Sequence, residues 1–118
     1  MSSINWRQQE QKLVQSLPEF YTAQLGHSPA QVSCEIANRR IVITVEGAMT
    51  QLEKLLHANH QTLLVQNLRA SLDEVLRNKL NAWLAELLQT EIIDLFIDTD
   101  ITQDRMMAIA ILPDTQNP

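Results

Sequence analysis

The sequence predicts an α+β domain: a four-stranded antiparallel sheet from two β-hairpins, with helices packed on one face, in the order α-β-β-α-α-β-β. Three observations predict it. Two alternating runs, 32–36 and 41–45, pair in register around Asn38-Arg39. Helical apolar spacing runs through 6–25 and again through 61–89. Two apolar stretches, 91–98 and 106–112, supply a second hairpin. Helices on one face of such a sheet bury both sets of apolar side chains.

The first helix covers about Trp6 to Leu25, with Leu13, Val14, Leu17, Phe20, Tyr21 and Leu25 close to helical spacing. Pro18 removes one backbone donor, and Ser16 with Glu19 has capping-box spacing, so either a kink or two short helices fits. Gly26 suits the left-handed position that ends a helix, and Pro29 discourages continuation. If Asn38-Arg39 is a two-residue turn, Val32, Cys34 and Ile36 lie opposite Val45, Ile43 and Ile41 on one face. Gly47 ends the second strand, and Thr50 with Glu53 forms a capping box before a short helix to about Ala58. Asn59-His60 is a bend. The long helix that follows has apolar residues at Leu64, Leu68, Leu72, Val75, Leu76 and Leu80, with a stripe set by Leu64, Leu68 and Val75, and Asp73 and Arg77, four apart, can pair on its solvent side. Trp83, Leu84, Leu87 and Leu88 extend round it beyond that stripe. Glu91 to Asp98 is a strand by composition, Thr99 to Asp104 a turn, and Met106 to Leu112 the last strand. The near-continuous apolarity of this hairpin suggests cover on both faces or a central place in the sheet.

A chain of 118 residues, 45% hydrophobic and 19% charged, suits one domain, 1–118, with an ordered core of about 6–112 and tails at Met1 to Asn5 and Pro113 to Pro118. The net charge of -5 argues against nucleic acid, whose binders carry a basic patch, and against anionic lipid. A single cysteine, Cys34, allows no disulfide within the chain, and its apolar neighbours make it an inert thiol. The N-terminus has no secretory pattern and the longest apolar run cannot span a bilayer, so a cytoplasmic location without membrane insertion is expected.

Several constellations come near to a chemistry and stop short of it. Glu53, His57 and His60 have metal-ligand spacing on a helix, but the bend spoils their alignment and a fourth ligand is missing. Asp98, Asp100, Thr102 and Asp104 alternate as in a calcium loop, yet Gln103 stands where glycine is needed and Ile109 where the bidentate glutamate should be. The two glycines, Gly26 and Gly47, exclude a glycine-rich phosphate loop. Arg69 is a candidate anion ligand, with a solvated or interface arginine the commoner outcome. No nucleophile, base and orienter set is present, so no catalytic residue, metal or cofactor is expected.

Phe20-Tyr21 leading into Leu25-Gly26 and Pro29, the alternating hairpin, Gly47-Ala48-Met49-Thr50 with Glu53 and Leu56, the helix around Arg69 and the strand ending at Asp98 to Thr102 together resemble a bacterial family. This is the MpsC-like component of a sodium-translocating, membrane-potential-generating system, and the likeness runs from about Leu17 to Leu112. One departure is the turn before the last strand, Thr102-Gln103-Asp104-Arg105, where relatives have a longer turn with glycine. The resemblance implies a cytosolic accessory protein linked to a membrane ion or inorganic-carbon transport system.

The expected function is therefore regulation by protein–protein contact, with a small-molecule sensor as the alternative. Arg69, Asp73, Arg77 and Trp83 on the long helix, and Asp98, Asp100 and Arg105 in the polar loop, form the expected interaction surface. The apolar excess of the long helix also predicts a homodimer, unless the first helix covers it.

Overall fold

Residues 5–114 are described by the computed structural model, and the predicted order holds. The elements are α1 (Trp6–Leu25), β1 (Gln31–Ala37), β2 (Arg40–Glu46), α2 (Gln51–Ala58), α3 (Thr62–Leu88), β3 (Asp94–Asp100) and β4 (Arg105–Ile111). Apart from Asn5, Pro113 and Asp114, the expected tails lie outside the described residues. Asn5 is a working N-cap, its side chain accepting from the Gln8 N–H at 3.1 Å.

Helix α1 runs unbroken through Pro18. Leu13, Leu17 and Tyr21, four residues apart, are buried on either side of the proline. Packing against the sheet thus spans the point where one backbone donor is missing, and no restart at Ser16 is needed. Gly26 ends the helix at φ 67°, donating to the Thr22 carbonyl at 2.8 Å.

The first hairpin has the predicted register: Val32, Cys34 and Ile36 pair with Val45, Ile43 and Ile41. Asn38 and Arg39 both have positive φ, 53° and 60°, as a two-residue turn of matching twist requires. At Gly47, φ is 68° and a Cβ would lie 2.9 Å from that of Ala30, so the exit from β2 admits glycine for two reasons. The strands are ordered β1-β2-β4-β3, which makes β4 central and β3 an edge. Ile41, Ile43, Val45, Met106, Ala108, Ala110 and Leu95 form the sheet's share of the core.

Strand β3 begins three residues later than the apolar composition suggests, at Asp94. Ile93 precedes it, more than half exposed, its N–H donating to the Ile111 carbonyl at 2.8 Å. The second hairpin is central at β4 but not covered on both faces. On the outer side Phe96 is 57% exposed, Met107 42% and Ile109 37%.

The rotation of α3 also departs from expectation. Its buried line is Val65, Arg69, Asp73, Leu76, Leu80, Leu84 and Leu88, whereas Leu64 and Val75 are each 51% exposed. Trp83 is covered by α1, its ring stacked on Phe20 at 4.7 Å. The stripe expected to face the sheet is thus the free one. Two polar residues in the core register interrupt the apolar pattern that would have disclosed it. None of the helices among the described residues is long and apolar enough to cross a membrane.

Candidate functional site

A charged residue in the core register needs a partner, because an unpaired buried charge is costly. Arg69 is 2% exposed, and its partners come from α3 itself and from three other segments of the fold. The capping box at the start of α2 places Glu53: the Thr50 N–H donates to Glu53 Oε1 at 2.9 Å, and the Glu53 N–H to Thr50 Oγ1 at 3.3 Å. The same carboxylate then takes Arg69 on both oxygens, Nε to Oε2 at 2.6 Å and Nη2 to Oε1 at 2.6 Å.

The other guanidinium protons are also engaged. Nη2 donates to the Ala48 carbonyl at 3.0 Å, and Nη1 to Asp73 Oδ1 at 3.2 Å and to the Tyr21 hydroxyl oxygen at 3.4 Å. A guanidinium has five N–H donors, and the five bonds use them all. Tyr21 donates in turn to the Ala48 carbonyl. The Thr99 hydroxyl donates to Asp73 Oδ2 at 2.8 Å, which brings β3 into the cluster.

Burial alone would raise the Glu53 carboxyl, but the bonds from Arg69 and from the Thr50 backbone outweigh it and hold it below its ordinary value. Asp73 goes the other way. Burial raises it, Thr99 and Arg69 oppose that only in part, and the nearby Glu53 adds to the rise. Tyr21 is raised by burial against the pull of Arg69. Two carboxylates thus share one guanidinium, and Asp73 carries the excess negative charge. Arg69 has no donor left for an external anion, and Glu53 is 0% exposed. What this arrangement does is fasten α1, the β2–α2 connection, α2, α3 and β3 together.

The expected interaction residues do not form one surface. Arg69 and Asp73 lie inside, and the Asp73–Arg77 pair is not made; Arg77 instead approaches Glu74 at 4.0 Å. Arg77 and Asp98 line an open groove of about 290 Å³ with Ala70, Asp73, Glu74 and Ile97. Trp83 is half-buried against Phe20 on α1. Asp100 accepts from the Gln103 N–H at 3.1 Å, and Arg105 pairs with Glu46 at 2.8 Å. Asp104, at φ 54°, turns its carboxylate to the Met49 N–H at 2.6 Å and so ties the β3–β4 turn to the start of α2. Of the other candidates, His57 and His60 are exposed while Glu53 is committed to Arg69. Burial pushes the Cys34 thiol up to about 12, with Glu10 and Glu35 adding to the shift, which leaves it unreactive at neutral pH.

Sequence reasoning does not join Tyr21, Thr50, Glu53 and Thr99 to Arg69. The one signal for it is the spacing of Arg69 and Asp73, four and eight residues after Val65 and in line with Leu76 and Leu80.

A family model described as the Na+-translocating membrane potential-generating system (MpsC) matches residues 5–114. The chain belongs to the MpsC family. No curated protein and no solved structure gives a significant match. Within this MpsC-family domain the segments that carry the resemblance include those that build the cluster: Tyr21, Ala48, Thr50, Glu53 and Arg69.

Proposed function

We propose that this domain is a non-catalytic cytoplasmic accessory protein that docks on another protein of a sodium-translocating, membrane-potential-generating system. The open outer face of the sheet carries the reading. Register places Val42, Ile109 and Phe96 in one row across β2, β4 and β3, next to Met107 and Thr44. Asp94, Asp98 and Asp100 lie along its β3 side and Glu35 on its β1 side, with Arg40 at one corner. Arg105 is already paired with Glu46. An apolar centre bordered by carboxylates fits a partner with an apolar centre and a basic rim. None of the helices among the described residues is long and apolar enough to cross a membrane, and in this reading the connection to a membrane runs through that partner.

A small-molecule sensor would need a chamber of a few hundred Å³. The enclosed gap between α1, α3 and the sheet is apolar and measures about 10 Å³. The groove beside Asp73 is open to solvent and shaped more like a surface furrow than a binding chamber.

The test is Phe96→Lys with Ile109→Lys in the native host. The expected result is loss of the sodium-dependent membrane potential, with the protein's level and melting curve nearly unchanged. A potential that persists at the wild-type level would remove the sheet face as the docking surface.

A further inference from the structure

Helix α3 has a second apolar stripe that the fold covers only in part. Leu64, Leu68, Leu72 and Val75 fall within an arc of about 80° at 100° per residue. Leu64 and Val75, at the two ends of the stripe, are each 51% exposed, and Leu68 and Leu72 between them are half-buried. The C-terminal half of α3 is closed by α1 through the Phe20–Trp83 stack. At its N-terminal half the neighbour is α2, whose inward contact is the Glu53–Arg69 pair.

We propose that this stripe mates with the same stripe of a second copy, the two α3 helices running antiparallel about a two-fold axis that crosses the stripe at the level of Ala70. Two observations select a second copy over another partner. The first is spacing. An antiparallel two-fold that sets Leu68 opposite the other copy's Leu72 brings Leu64 to within one residue, about 1.5 Å along the helix, of facing its Val75. The apolar positions are therefore complementary to themselves, as an isologous interface requires. The small Ser71 lies at the flank of the stripe and lets the helices approach.

The second observation is charge. From Leu55 to Leu72 the one formally charged residue is Arg69, which is buried. In a chain of net charge -5, two copies repel wherever their charged surfaces meet. The contact itself, Leu64 to Val75, adds Asp73, which is buried, and Glu74, which lies about 80° round the helix from Leu64 and off the stripe, so two copies meet there at little cost. The acidic sheet face, by contrast, would set carboxylates against carboxylates.

The orientation makes a decisive test possible with purified full-length protein in analytical ultracentrifugation at about 100 µM, a concentration at which a modest interface is populated. Wild type is expected to sediment as a dimer. Leu64→Glu with Val75→Glu places glutamates opposite each other twice and should weaken association at least about a hundredfold, like charges at an interface being strongly unfavourable. Leu64→Glu with Val75→Lys should restore the dimer, since each introduced glutamate then faces an introduced lysine across the two-fold. A parallel pairing would instead oppose like charges and stay apart. A monomeric wild type, a dimer that survives the double glutamate change, or failure of the glutamate–lysine variant to reassociate would each overturn the proposal. Both positions are half exposed, so the variants' circular-dichroism melts should stay close to that of the wild type.

Discussion

Arg69 on α3 and Glu53 on α2 face each other as a two-pronged ion pair, with both N···O distances at 2.6 Å and both side chains almost fully shielded from solvent. The two residues are far apart in the chain but meet because the bend at Asn59-His60, with His60 at φ 62°, folds α2 back along α3. Glu53 has already been oriented by its own helix cap. The pair therefore joins a local feature, the capping box, to a long-range one, the packing of α3 on β3 through Asp73 and Thr99.

Removing one partner of such a pair leaves the other charged and buried. Arg69→Ala should cost about 3–5 kcal/mol, because Glu53 and Asp73 both lose their counter-charge. Arg69→Lys should recover only part of this, since an ammonium cannot reproduce the planar two-pronged contact. Chemical denaturation of the three proteins checks the order: wild type most stable, then lysine, then alanine.

Asp73 makes the pH dependence informative. Its folded-state pKa is raised above the ordinary carboxylate value, so its contribution favours folding below that value and is lost as pH rises through the raised one. Glu53 is depressed, so its contribution is present above its ordinary value and lost as pH falls through the lower one. Asp73→Asn keeps an acceptor for Arg69 and removes the titration. The stability of this variant relative to wild type should be greatest near neutral pH and decline on acidification towards about pH 4, the ordinary aspartate range. Urea titrations at several pH values measure the difference; a pH-independent difference would mean that Asp73 is not raised.

The turn of the first hairpin holds a non-glycine residue, Arg39, at φ 60°. Left-handed backbone costs a side-chain-bearing residue about 1–2 kcal/mol, of which glycine's extra unfolded-state freedom returns part. Arg39→Gly should therefore raise stability by roughly 0.5–1 kcal/mol, visible as a Tm increase of a few degrees. The Arg39 carbonyl, which accepts from the Leu112 N–H at 2.8 Å, stays available in the variant.

The first hairpin is legible because alternation over 32–36 and 41–45 leaves one register in which Val32, Cys34, Ile36, Ile41, Ile43 and Val45 share a face, Val42 alone of the apolar residues there falling on the other. The rotation of α3 is not. Arg69 and Asp73 occupy core positions, so the apolar residues beside them, Leu64, Leu68 and Val75, gave the stronger apparent stripe. The start of β3 slipped for a related reason: Ile92 and Ile93 are as apolar as the strand they precede. Only the Thr50–Glu53 part of the buried cluster is legible, since that box is a local signature. The Glu53–Arg69 pair, and the parts of Tyr21 and Thr99, depend on contacts between segments distant in sequence, which no periodicity records.

Docking of the outer sheet face on a protein of the ion-translocating system is tested most directly by a photo-crosslink from the centre of that face. Phe96, more than half exposed, is replaced by a benzophenone-bearing phenylalanine in the native host, with the exposed Gln24 on α1 as the control position. The predicted result is a light-dependent adduct from position 96 with an integral membrane protein of the sodium-translocating system, and no such adduct from position 24. Equal adducts from both positions, or none from position 96, would contradict it.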